Sequence, residues 1–145
     1  MIKKLLPLLL LILIRCSDEP VKFEDLRLNI NDLKYYSRIT NEPYSGKVVS
    51  IYDNGNLREN GFLKEGKLEG EYEYYYSNGN IFEFIIYKSG KPQKSTRYHI
   101  NGEIRSEGFF QDGELHGILK IYDENGVLIE ERTYKDGEII NTKSN

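Results

Sequence analysis

The chain opens on an unbroken apolar run, "LLPLLLLILI" at residues 5–14, and changes character completely after it. From residue 44 onward apolar and polar positions alternate in short stretches punctuated by glycine. Leu57, Ile81, Ile104 and Leu128 form one column, each two places past an Asn-Gly glycine, and Leu63, Tyr87, Phe110 and Tyr134 form another six places further on. An even offset predicts that both columns lie on one side of a pleated strand. The glycines set the register. Gly55, Gly79, Gly102 and Gly126 each follow an Asn at spacings of 24, 23 and 24, and Gly66, Gly90, Gly113 and Gly137 repeat those spacings. Gly46, Gly70 and Gly117 make a third column in which Lys94 fills the remaining slot, and Gly61 and Gly108 match two repeats apart. All 13 glycines lie on one grid. Asn-Gly and Asp-Gly between alternating apolar residues predict hairpins closed by primed turns with positive φ. The expected fold is all-β: an elongated antiparallel β-meander of tandem hairpin repeats of ~24 residues, preceded by an N-terminal signal segment.

The glycine-rich stretch "YDNGNLRENGFLKEGKLEG" (52–70) therefore reads as backbone turns. A phosphate-binding loop of the form G-x-x-x-x-G-K-[ST] is absent from it, and its oxygens lack the spacing of a calcium-binding helix–loop–helix. Composition agrees with strands. Twelve Tyr, six Phe, no Trp and no Ala disfavour helix and suit a pleated surface that buries a ring while its hydroxyl stays wet. A mean hydropathy of −0.58 and 30% charged residues describe a soluble body.

The N-terminus belongs to another class. As a helix the apolar run reaches about 15 Å, half the hydrocarbon thickness of a bilayer, so it is too short to span but suits a secretory signal. Lys3 and Lys4 precede it, and Cys16, the only cysteine, follows it before polar "SDEP". A cysteine there resembles the acylated cysteine of a bacterial lipoprotein signal, with Arg15 standing where that pattern carries a small residue. The resemblance implies lipidation at Cys16, cleavage after residue 15, and a lipoprotein anchored in a membrane of the cell envelope, periplasmic or surface-exposed. An uncleaved or differently cleaved signal is the alternative. Cleavage before Cys16 removes Lys3, Lys4 and Arg15 and no acid, moving the formal charge from −3 to −6. So acidic a body makes nucleic acid and anionic lipid headgroups poor partners. With one cysteine, no intramolecular disulfide forms.

The repeat itself carries a resemblance. "PYSGKVVSIYDNGNLRENGFLKEGKLEGEYEYYYSNG" resembles the bacterial MORN-repeat variant, whose pattern runs G-x-x-x-x-Y-Y-x-N-G-x-L, then an aromatic residue, then a D-G-K-L-x-G turn. Proteins of this kind are grouped as the YwqK family of toxin–antitoxin antitoxins. The resemblance covers about four repeats over 44–141; the third, "STRYHINGEIRSEGFFQDGELHG", lacks the opening glycine and carries His99 beside Tyr98. Residues 16–43 are expected to be a tether followed by an entering strand at 33–37, and 142–145 a frayed polar tail.

Candidate chemistry is sparse. His99 and His116 have no Cys or carboxylate at metal-ligand spacing, so no metal, cofactor or catalytic residue is expected. Glu59, Glu83 and Glu130 share a column with Ser106 in the third repeat; two carboxylates could pair for glycoside chemistry, but a row that follows the repeat reads as solvated charge. The remaining candidate is the tyrosine stripe of Tyr52, Tyr75, Tyr76, Tyr87, Tyr98, Tyr122 and Tyr134. It fills the packed face of the sheet, or it grips a partner as extended repeat arrays do. The sequence thus points to a non-enzymatic, envelope-tethered repeat protein that binds another protein. What the family resemblance implies is narrower: an antitoxin or immunity-type protein whose partner is a toxin.

Overall fold

The structure is a computed structural model that describes residues 19–145. The signal segment and Cys16 lie outside the described residues. Among the described residues fourteen strands follow in chain order, with a single 3₁₀ turn at Phe23–Asp25. They are β1 (Val21–Lys22), β2 (Leu26–Asn29), β3 (Lys34–Ser37), β4 (Gly46–Ile51), β5 (Leu57–Lys64), β6 (Lys67–Leu68) and β7 (Gly70–Tyr75). Then come β8 (Ile81–Lys88), β9 (Lys91–Tyr98), β10 (Ile104–Gln111), β11 (Glu114–Leu115), β12 (Gly117–Tyr122), β13 (Leu128–Lys135) and β14 (Glu138–Ser144). From β4 to β14 the sheet is one antiparallel meander, each long strand paired with its neighbours in sequence. The all-β repeat architecture expected from the glycine grid is the one observed.

Two turn chemistries alternate, and they are distributed differently from the expectation. At the Asn-Gly column only the glycine has positive φ, from Gly126 at 78° to Gly79 at 94°. Gly55 N–H donates to the Tyr52 carbonyl (2.9 Å) and Tyr52 N–H to the Asn56 carbonyl (2.8 Å). This is the three-residue loop with a glycine bulge, not a primed turn. The primed turns sit at the other column. Glu65, Ser89, Asp112 and Asp136 each have φ between 51° and 54° immediately before a positive-φ glycine, as a two-residue type I′ turn requires.

A register shift after each Asn-Gly loop corrects the expected sidedness. Leu57 pairs with Ile51, Ile81 with Tyr75, Ile104 with Tyr98 and Leu128 with Tyr122, while the next pairing skips one residue. The extra residue reverses the alternation, so the Leu57 column and the Leu63 column point to opposite faces.

One face is capped. Val48 and Leu63 on it are fully buried beneath Leu26, with Val21, Phe23, Tyr35 and Tyr44 packed around them. The segment expected to be a tether is therefore, from Val21 onward, a docked element: β1 adds parallel to β4, and the β2–β3 hairpin closes over the first repeat. Apolar burial of Val21, Phe23 and Leu26 outweighs the polar composition that suggested a linker. At the other end, residues 142–144 are not frayed but continue β14, pairing Arg132 with Thr142 and Glu130 with Ser144.

Candidate functional site

The seven candidate tyrosines do not form one surface. Tyr52 and Tyr76 stand just outside their strands and reach forward along the array. The Tyr52 hydroxyl donates to the Tyr75 carbonyl (2.7 Å) and the Tyr76 hydroxyl to the Tyr98 carbonyl (2.9 Å). His99, in the third repeat, occupies the same column, and its Nε2 meets the Tyr122 carbonyl at 3.0 Å. A carbonyl can only accept, so Nε2 carries the proton there. Asparagine amides run parallel to this ladder: Asn54 and Asn56 donate to Ser77, Asn80 to Ile100 and Asn101 to Glu124. These side chains stitch each repeat to the next.

A second ladder runs along the type I′ edge. Glu65 N–H donates to the Ser45 hydroxyl and Ser89 N–H to the Glu69 carboxylate (2.6 Å), and His116 Nδ1 lies 3.5 Å from Asp136. Both histidines thus sit in repeat columns.

Tyr87 and Tyr134 lie on the capped face. Tyr87 packs edge-on against Tyr72 (centroids 5.8 Å apart), beneath a cluster that also holds Tyr74 and Phe23. Tyr72 is only 2% exposed because Gly61, directly beneath its ring, has no side chain; a Cβ there would fall inside the ring. Burial pushes the phenols of Tyr72 and Tyr74 well above their ordinary range, with the nearby Glu59 and Glu83 carboxylates adding to it.

The glutamate column is not a solvated row. Glu59 accepts from the Ser50 and Tyr72 hydroxyls, and Arg58 reaches the same group. Glu83 is 8% exposed and accepts from the Ser95 hydroxyl (2.6 Å) and Arg97 Nε (2.9 Å). Glu130 is paired with Arg132, which holds its carboxyl below the usual range. A buried carboxylate is stable only when its oxygens are occupied in this way. The sequence showed the column but not that register places hydroxyls and guanidinium groups opposite it.

Tyr75, Tyr98 and Tyr122 point to the opposite, open face, where cross-strand pairing sets them beside Ile81, Ile104 and Leu128. The Tyr75 and Tyr122 hydroxyls donate to Glu73 and Glu107. Burial and the Glu73 contact push the Tyr75 phenol up to about 12. Nearer the type I′ edge, Phe62, Ile86, Phe109 and Ile118 are solvent-exposed, Phe109 by 55%, with Lys94 stacked over the Phe109 ring at 5.6 Å. Phe62, Ile86 and Phe109 share one column, seven places past the Asn-Gly glycine, so the sequence held the row; what it hid was the bulge that turns this column to the open face. Among the described residues no group of three His, Cys, Asp or Glu could hold a metal ion, and no helix is long and apolar enough to cross a membrane.

Comparison with known proteins supports the repeat. Residues 68–88 and 115–136 match the family model described as MORN repeat variant. Those segments run from β6 through the Asn-Gly loop to the end of β8, and from β11 to the type I′ turn after β13. No curated protein matches the chain significantly. Among solved structures, a crystal structure of an S. aureus TarM mutant with fondaparinux, alpha-GlcNAc-glycerol and UDP aligns at 8% identity with a TM-score of 0.39. The alignment covers 81% of this chain and 21% of that one, a likeness too loose to define a relationship.

Proposed function

We propose that this protein is a non-enzymatic repeat module, tethered to the cell envelope through Cys16, that binds another protein on its open face. The observation that supports the reading is the exposed apolar row of Phe62, Ile86, Phe109 and Ile118. Apolar side chains gathered on one face and rimmed by charge suit a protein interface. The antitoxin role implied by the family resemblance is a special case, in which the partner is a toxin acting in the envelope. The test is affinity capture from envelope extracts with the full chain and with a Phe62→Ser/Phe109→Ser variant. A partner held by the wild type and lost from the folded variant supports the reading; equal capture by both sinks it. The tether is tested separately. Cys16→Ser should abolish fatty-acid labelling and release the protein from the detergent phase, and a wild type that incorporates no lipid overturns the anchor.

A further inference from the structure

On the capped face, beyond the N-terminal cap, the third repeat departs from its neighbours and leaves a hole. Four places past each Asn-Gly glycine, repeats one, two and four place a glutamate whose carboxylate is held by hydroxyl or guanidinium groups. Repeat three places Ser106 there. Ser106 sits between Arg97 on one side and Ile121 on the other, and among the described residues no hydrogen bond engages its hydroxyl. Arg97 donates through Nε to Glu83, and its two Nη groups have no partner among the described residues. Around them lies a cavity of about 80 Å³. Ser95, Arg97 and Ser106 form its polar side, and Phe110, Leu115 and Leu119 its apolar side. Gly108 lies between them, with Leu119 Cδ1 only 2.9 Å from where a Cβ would stand, so glycine keeps the floor open. The Arg97 side chain is 54% exposed, which leaves the mouth accessible to solvent.

We infer that this cavity binds a carboxylate on a short apolar stem. The carboxylate would sit where the other repeats place their own glutamate, on the Nη edge of Arg97 and the Ser106 hydroxyl, with the stem against Leu115, Leu119 and Phe110. A guanidinium that uses Nε for one carboxylate keeps a second edge in the geometry that pairs another. The neighbouring Glu83 disfavours a dianion such as phosphate, and the apolar wall disfavours a fully hydrated ion. The volume admits a short acid and excludes a sugar ring or nucleotide. Two sources share this chemistry: a free short-chain acid, and the Glu side chain of a bound peptide. The inference does not depend on the partner-binding reading, which concerns the other face.

The test is an NMR titration of the purified full chain, following the Arg97 Nε–H and the Ser106 and Gly108 amides. Propionate should give saturable shifts, and neutral propionamide should bind about tenfold more weakly or worse, having lost the charge-assisted contact. Ser106→Glu supplies the repeat's own carboxylate, so this variant should stay folded, melt at a higher temperature and stop responding to propionate. Arg97→Gln should also lose the response. A parallel titration with the amidated peptide Gly-Gly-Glu-Gly-Gly separates the sources: a response to the peptide assigns the site to a partner's side chain, and a response to propionate alone assigns it to a free acid. Absence of saturable shifts with both, equal binding of propionamide, or an unchanged response in Ser106→Glu overturns the proposal.

Discussion

Gly61 and Tyr72 show how one missing side chain organises its surroundings. Tyr72 lies flat over Gly61 and thereby brings its hydroxyl to Glu59, 2.8 Å away. Gly61→Ala should therefore displace the ring and cost about 1–3 kcal/mol, as overpacking in a tight core does. Urea denaturation checks it, and a wild-type midpoint would show that the ring has room to move. The same burial fixes an alkaline limit. A phenol titrates near pH 10 in an unfolded chain, and in the folded protein those of Tyr72 and Tyr74 are raised above that by desolvation. Above that pH the unfolded state releases protons that the folded state keeps. Stability is thus fully present below about pH 10 and falls as pH rises beyond it. Melting temperature against pH should be flat through neutrality and drop on the alkaline side, and Tyr72→Phe should blunt the drop. The glycine grid made the turn glycines legible, because positive φ leaves a periodic mark. Gly61 and Gly108 share that grid for another reason, close approach of Tyr72 and Leu119, which no spacing could distinguish.

Between elements, the repeats are joined by more than strand pairing. Tyr52, Tyr76 and His99 present one donor each to the carbonyl one repeat ahead, so a residue that looks like a departure, His99, keeps the function of its column. Tyr76→Phe removes the donor, keeps the ring contact with Phe82, and should cost about 0.5–1.5 kcal/mol. His99→Tyr should be close to neutral and His99→Phe should cost about as much as Tyr76→Phe. Matched thermal denaturation of the three variants checks this, and a destabilised His99→Tyr would show that the imidazole does something a phenol cannot. Strand existence was readable from alternation and turn residues. Bulges were not, because one extra residue leaves apolar spacing unchanged while reversing every side chain beyond it. That single shift is why Leu57 and Leu63 part company, and why the tyrosines divide between two faces.

For the whole molecule, the question is how far stability at one end is felt at the other. A repeat sheet holds each unit chiefly through its neighbours, so its cooperativity is local where coupling is weak. Here the ends are unlike. The first repeat is covered by Val21, Phe23 and Leu26, which sequence patterning hid because a segment with no periodicity of its own reads as a linker. The joints are unlike too: β5 pairs with β7, and β10 with β12, through two residue pairs each, whereas β9 runs unbroken and Lys94 in it pairs with both Ile86 and Phe109. Gly66, Gly90 and Gly137 each donate a backbone N–H to the preceding repeat, at Tyr44, Leu68 and Leu115, whereas Gly113 has no such bond, and Lys94 stands where the neighbouring repeats have a hinge glycine. Leu26→Ala should open a cavity over Val48 and Leu63 and cost about 2–5 kcal/mol at that site. Because β5 and β7 share only two residue pairs, amides in β4 and β5 should lose hydrogen-exchange protection while those in β12 and β13 keep most of theirs. Uniform loss of protection from β4 to β13 would mean that the sheet unfolds as one unit and that this joint is no weaker than the rest. Lys94→Gly in the Leu26→Ala background then puts a hinge into the unbroken β9. Amides in β8 and β9 should lose protection with it, and a profile identical to that of Leu26→Ala alone would show that the continuity of β9 adds nothing to the joint.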